Sequence, residues 1–216
     1  MNKQAQLSTI TTWVESNTGA ILGNLKESIA VYNFLQARFQ QKGDITQDLL
    51  FQFVFRSFYR LDNAGLGVPF KTKYFELMEK FRDPSTFDFT SVLRSLYEIE
   101  TLKGKNTFQF SFATKMLSTI DPQRPVYDRE VARMFGYTRL PGGDFEDKLE
   151  TYSDRYQNIE NCYNQILSDK LLPGTFLAFE EKFPQHNLSD VKRLDFIFWA
   201  AGKVKLKGKS ADAREN

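Results

Sequence analysis

Residues 107–136 read TFQFSFATKMLSTIDPQRPVYDREVARMFG, two helix-forming stretches separated by a proline break. Phe108, Phe112, Met116 and Ile120 recur at every fourth position, so the spacing predicts a helix over 107–120 with these four as its buried stripe. Ser111, Thr114, Lys115 and Ser118 fall on its other faces. Asp121-Pro122 and Arg124-Pro125 end that helix, because proline has no N–H to donate and forces the residue before it to be extended. Val126-Tyr127 is then a short extended link. Asp128 stands at the expected N-cap of a second helix, accepting hydrogen bonds from its first amides. Val131, Met134 and Phe135 give that helix its apolar face, and Gly136 is its expected C-terminal cap.

Outward from this stretch, apolar residues continue to recur at three and four. Ile29, Tyr32, Phe34, Leu35 and Phe39 mark one helix, ending near Gly43. Thr46 is placed to cap the next, which carries Leu49, Leu50, Phe53, Val54 and Phe58. A turn cluster follows at 62–69, DNAGLGVP, flanked by Arg56, Arg60, Lys71 and Lys73, where Asn63 and Gly65 can aim a loop at a ligand. Further helices are expected over 70–81, 86–100, 145–167, 175–183 and 189–201. No stretch alternates as a half-buried strand would, so the fold class is all-α. The expected organisation is one helical domain over 1–202 and a basic flexible tail over 203–216. Phe accounts for 21 of the 216 residues, and most of these rings belong to the core, since burying each contributes roughly 2–3 kcal/mol. Trp199 reads as core on the same grounds.

The chemical inventory removes several classes of function. The chain has one Cys (Cys162) and one His (His186). An intramolecular disulfide is excluded, and so is a typical zinc site with its three or four N/S ligands. His186 sits in a polar Pro-Gln-His-Asn segment, expected to be a solvated loop, with no nucleophile motif nearby. Carboxylates, lysines, hydroxyls and backbone amides are left to do any chemistry. Residues 1–7 have no signal-peptide core and no apolar run spans a bilayer, so neither a membrane nor a metal partner is expected. The lone thiol suits a reducing cytoplasm. Net charge is only +2, but residues 101–143 hold 7 basic against 3 acidic groups, and 144–195 hold 6 against 11. Such a split can give a nearly neutral protein one positive surface for a polyanion.

Helix, proline-containing connection, short apolar-aromatic step, Asp128, then a helix reading DREVARMFG resembles the helix-hairpin-helix, Gly/Pro-rich-plus-Asp superfamily of DNA glycosylases. The matching passage there runs roughly V-D-x-H-V-x-R-x-x-x-R-L-G, and the likeness covers about thirty of the 216 residues. It implies two helical lobes around a cleft, here near 103–136, with a modified or damaged base flipped into it. Asp128 matches the family's catalytic position. It would stabilise the oxocarbenium-like charge as the N-glycosidic bond breaks, and orient the attacking water. A carboxylate at a helix N-terminus is favoured as the anion and fixed in direction, as that role requires. Tyr127 would line the base pocket. Lys103, Gly104, Lys105, Thr107, Arg124, Arg129 and Arg133 would contact DNA.

The departures from the family pattern are specific. Where the family hairpin reads L-P-G-V-G-x-K/W-T-A, this chain has LKGKNT at 102–107: one glycine between lysines, and no G-x-G. A phosphate contact would then rest on Lys103, Lys105 and the amides opening the 107–120 helix. Lys115 is the only lysine of that helix and the candidate for the Schiff-base nucleophile of bifunctional members. It precedes Asp128 by 13 residues, about one turn short of the family spacing. Without a Schiff base, the implied enzyme is a monofunctional, water-using glycosylase. No cofactor is implied, since an iron–sulfur cluster needs four cysteines. Two other readings stay open: a nucleic-acid-binding module of the same fold without chemistry, and a helical interaction protein in which Asp128 is only a cap.

Overall fold

The computed structural model describes residues 3–212, with side chains from 4 to 206. Among these the regular elements are all helices: α1 (Lys3–Ser16), α2 (Thr18–Leu22), α3 (Lys26–Phe39), α4 (Leu49–Tyr59), α5 (Val68–Lys80), α6 (Phe89–Tyr97), α7 (Phe110–Ile120), α8 (Arg129–Met134), α9 (Phe145–Ser168), α10 (Pro173–Lys182) and α11 (Asp190–Asp212), with two 3-10 turns, Leu61–Asn63 and Pro84–Thr86. No strand occurs among the described residues. The chain divides into two compact units. One comprises Met1–Glu27 and Tyr127–Asn216; the other is Ser28–Val126.

The middle unit, 28–126, is built on aromatic packing. Phe51 and Phe55 of α4 meet Phe39, Tyr74 and Phe75 with ring centroids 5.7–6.2 Å apart, the offset and edge-on arrangements that ring quadrupoles favour. Helix α4 starts at a cap supplied by Asp48, whose Oδ1 accepts from the Phe51 amide at 3.0 Å while Arg38 donates to Oδ2. Thr46, expected in that role, lies in the preceding turn, where its own amide donates to Asp44. Asp88 caps α6 in the same way; Pro84 starts a separate 3-10 turn, which shortens the helix expected over 86–100.

Helix α7 begins at Phe110, three residues later than the periodicity suggested. It is buried nearly all round: Thr114 and Ser118, placed by spacing on outward faces, are 0% exposed. Hydroxyls tolerate this position by donating back along their own helix, as Thr114 does to the Ser111 carbonyl and Thr119 to that of Lys115. Tyr74 of α5 donates to the Phe112 carbonyl at 2.8 Å, and burial raises its phenol pKa well above the ordinary value. Gln36 ties α3 to α7 through the Thr119 carbonyl.

The terminal unit is organised around α11, which packs on α8, α2 and α9. Gly202 lies directly over the backbone of α8, where a Cβ would overlap the Glu130 carbonyl. Phe198 of α11 stacks on Tyr163 of α9 (5.4 Å) and meets Phe135 (5.1 Å). Helices α1 and α2 are tied to α10: the Thr18 and Thr175 hydroxyls share a hydrogen bond, and Glu15 accepts from the Thr175 amide. Residues 203–212, expected to be flexible, continue α11; 213–216 lie outside the described residues. Lys203 folds back over the half-buried Trp199 ring at 3.2 Å from its centroid. His186 is in a loop as expected, but its ring is not solvated. It packs edge-on against Phe179, faces Glu180 and accepts from the Leu188 amide.

Candidate functional site

Asp128 has extended backbone and is the N-cap of α8. Its Oδ1 accepts from the amides of Glu130 (2.9 Å) and Val131 (3.0 Å), while Oδ2 accepts neither bond. One oxygen of the half-buried carboxylate is therefore anchored by backbone. Helix α8 is only six residues long and ends in a tight cap: Gly136 has φ 82°, its amide donates to Arg133, and the next amide, of Tyr137, donates to Ala132. This double closure is the one expected for a glycine just past a helix end.

Both flanks of α8 are held by one arginine of α9. Arg155 donates to the Arg139 carbonyl at 2.8 Å, lies over the Tyr137 ring at 5.1 Å, and hydrogen-bonds with the Tyr127 hydroxyl. Tyr127 is buried and meets Tyr152 edge-on at 5.4 Å. Burial raises the pKa of Tyr127, Tyr137 and Tyr152, and Arg155 partly offsets the rise in each. The residue before Asp128 and the loop after α8 are thus fastened to the same guanidinium.

The same unit buries a pair of charges on α11 that spacing along the sequence does not reveal. Lys192 and Asp195 of α11 form an ion pair at 2.7 Å with side chains only 3% and 8% exposed. Burial, then the Asp195 carboxylate, then the charge of Asp128 raise the Tyr163 phenol pKa well above the ordinary range. Tyr163 thus feels both carboxylates. The sequence did contain a signal: Asp195 interrupts LDFIFWAA, an apolar run in which an unpaired carboxylate would be costly.

The remaining sequence candidates fall into both units. Arg129 and Arg133 lie in α8 itself, in the same unit as Tyr127 and Asp128. Arg129 is largely exposed and 3.2 Å from Glu130; Arg133 is ion-paired with that same buried Glu130 and so is committed within the unit. Lys103, Gly104, Lys105, Thr107, Lys115 and Arg124 belong to the middle unit. Lys103 and Lys105 are exposed, and Gly104 has φ 65° in the turn between them. Thr107 precedes the first turn of α7 and its hydroxyl accepts from the Gln109 side chain, so the amides opening that helix begin at Phe110 instead. Arg124 is exposed, 4.0 Å from Asp121. The Lys115 ammonium lies over the rings of Phe112 and Tyr59, at 4.9 and 5.8 Å. No group of side chains suited to a metal ion occurs among the described residues, and no helix among them is long and apolar enough to cross a membrane. Comparison with protein-family models, curated proteins and solved structures gives no match.

Proposed function

We propose that the protein is a DNA glycosylase that hydrolyses the N-glycosidic bond of a modified or damaged base. The observation that carries this reading is the Asp128 carboxylate, fixed through Oδ1 by two backbone amides. A transition state with oxocarbenium character needs a preoriented negative group beside the sugar, and preorganisation of this kind is usually the largest catalytic contribution. Oδ2 can face that charge and accept a hydrogen bond from the attacking water, while Tyr127 lines the base side. The lysine-bearing turn at 103–105 is available to phosphates. The Lys115 ammonium lies over two aromatic rings, which favours water over a Schiff base and hence a monofunctional enzyme.

Incubation with duplex oligonucleotides carrying a panel of modified bases, followed by alkaline cleavage, tests the reading. Wild type should generate abasic product on at least one substrate, and Asp128→Asn should lower kcat about 10²–10³-fold with KM little changed. Equal turnover by Asp128→Asn would sink the assigned role. A second reading, a DNA-binding module without chemistry, is favoured by one observation: two amides on one oxygen are all that a helix cap requires. Salt-sensitive DNA binding with no abasic product on any substrate would select it.

A further inference from the structure

Helix α4 reads LLFQFVFRSFY, so eight of its 11 side chains are apolar or aromatic. Such a composition belongs to a helix covered on both sides. One side is covered: Phe51 and Phe55 are 0% exposed in the aromatic core. The other is not. Leu49, Leu50 and Phe53 are 76, 56 and 59% exposed, and Ser57 and Arg60 are exposed beyond them. At 3.6 residues per turn these five share one arc of about 100°, on the far side of the helix from Phe51 and Phe55. Three large apolar side chains on one arc make a patch on the order of a few hundred Å², the size at which exposed apolar surface on a monomer is often functional.

The two ends of this stripe differ in charge. The turn leading into α4, residues 44–48, carries Asp44 and Asp48 and no cation. Asp48 is shared with Arg38, whereas Asp44 is exposed, its Oδ1 accepting from the Thr46 amide. The opposite end carries Arg60, held at φ 61° in a cap position that glycine takes most easily. Between them Leu49, Leu50, Phe53 and Ser57 carry no charge. Two copies of this face complement each other when paired antiparallel about a two-fold axis. Phe53 of each then lies over the small Ser57 of its partner, and each Arg60 points toward the acidic turn of the other. A parallel pairing would set the two arginines side by side. A lipid surface would meet acid at one end of the stripe and find no basic rim along it. A standard interface covers about 800 Å² on each partner, so the three large side chains supply its apolar centre and Arg60 with the 44–48 turn its polar rim.

We propose that the protein associates through α4 into a two-fold dimer, with Leu49, Leu50 and Phe53 of each copy at the centre of the interface and Arg60 facing the partner's Asp44. The pairing is independent of any DNA partner and of chemistry at Asp128. Sedimentation of the full chain between about 1 and 100 μM tests it. Wild type should shift from the 25.1 kDa monomer to a species of twice that mass as concentration rises. Phe53→Glu should stay monomeric throughout, with an unchanged thermal midpoint in dilute solution because the residue is exposed. Leu177→Glu, which puts the same charge at a leucine of α10 that is 62% exposed, should dimerise as wild type does. Arg60→Glu should weaken the dimer about tenfold, since the two-fold axis counts each change twice. Asp44→Lys added to that variant should restore the affinity.

A single 25.1 kDa species at every concentration overturns the proposal. A dimer that survives Phe53→Glu does so too, by placing the interface elsewhere. Failure of Asp44→Lys to rescue Arg60→Glu overturns the antiparallel orientation. A chain that remains monomeric but binds phosphatidylglycerol vesicles in a Phe53-dependent way gives the face to a lipid surface instead. Because every readout is mass or affinity between copies, the presence or absence of DNA binding leaves the result interpretable.

Discussion

The two units solve the problem of burial differently. In 28–126 the core is ring against ring, and the buried polar side chains among the described residues carry hydroxyls: Thr114, Ser118 and Thr119, with the phenols of Tyr32 and Tyr74. In the unit formed by 1–27 and 127–216, three charged side chains, Glu130, Lys192 and Asp195, are buried as well. A buried ion pair is a poor way to gain stability, since desolvation cancels much of its attraction. The same unit carries Asp128, whose charge, like that of Asp195, acts on the buried Tyr163 phenol. The middle unit, with its exposed cationic loops, is suited to contact.

The sharpest way to break this contrast is Lys192→Ala, which leaves Asp195 buried without its partner. A loss of about 3–5 kcal/mol is expected, read by urea unfolding. Both tryptophans of the chain, Trp13 and Trp199, lie in the charged unit, so tryptophan fluorescence reports it while circular dichroism follows all helices. Replacing both partners, Lys192→Met with Asp195→Leu, should recover most of the loss. If the single variant is as stable as wild type, the pair is not desolvated and the contrast fails.

A smaller effect comes from alkali. Tyr163 is held protonated when folded, chiefly by burial and then by Asp195, whereas in the unfolded chain it ionises near pH 10. The unfolded state therefore binds fewer protons above that pH, and stability falls as pH rises, by about 1.4 kcal/mol per pH unit for one fully protected phenol. Tyr127, Tyr137 and Tyr152 have raised pKa values in the same unit, against Tyr74 in the other. Tryptophan fluorescence should thus report unfolding at lower pH than the helix signal as a whole. Tyr163→Phe should reduce the alkaline slope by about one proton's worth; an unchanged slope would mean that the phenol titrates normally.

Local rules made the α7–α8 region legible. Proline breaks, the Asp128 cap and the left-handed Gly136 each follow from backbone chemistry within a few residues, and each has the predicted consequence in the structure. Tertiary effects were not legible. Thr114 and Ser118 look like outward residues at helical spacing, yet α7 is surrounded. Lys192 and Asp195, three apart on an amphipathic helix, look like a surface pair until the apolar neighbours of Asp195 are weighed. In α1 the buried stripe is Leu7, Ile10, Thr11 and Val14, so one of its four positions is a threonine and the apolar signal is short.

Competing caps mark the finest limit of such reading, and they give the smallest prediction. Thr46 and Asp48 both precede α4, and either side chain can serve an N-cap. Asp48 takes the position because its two oxygens satisfy two donors at once, the Phe51 amide and the Arg38 guanidinium. The Phe51 amide first, then Arg38, hold its pKa below the ordinary carboxylate value. A depressed pKa stabilises the fold above the unfolded value near pH 4, and the contribution is lost as pH falls through the folded one. Asp48→Ala should cost about 1 kcal/mol at pH 7, and the gap from wild type should narrow as pH falls below about 4. Amide exchange at Phe51 should quicken in the variant while exchange around Trp199 does not. Thr46→Ala should leave both unchanged, and a cost equal to that of Asp48→Ala would return the cap to Thr46.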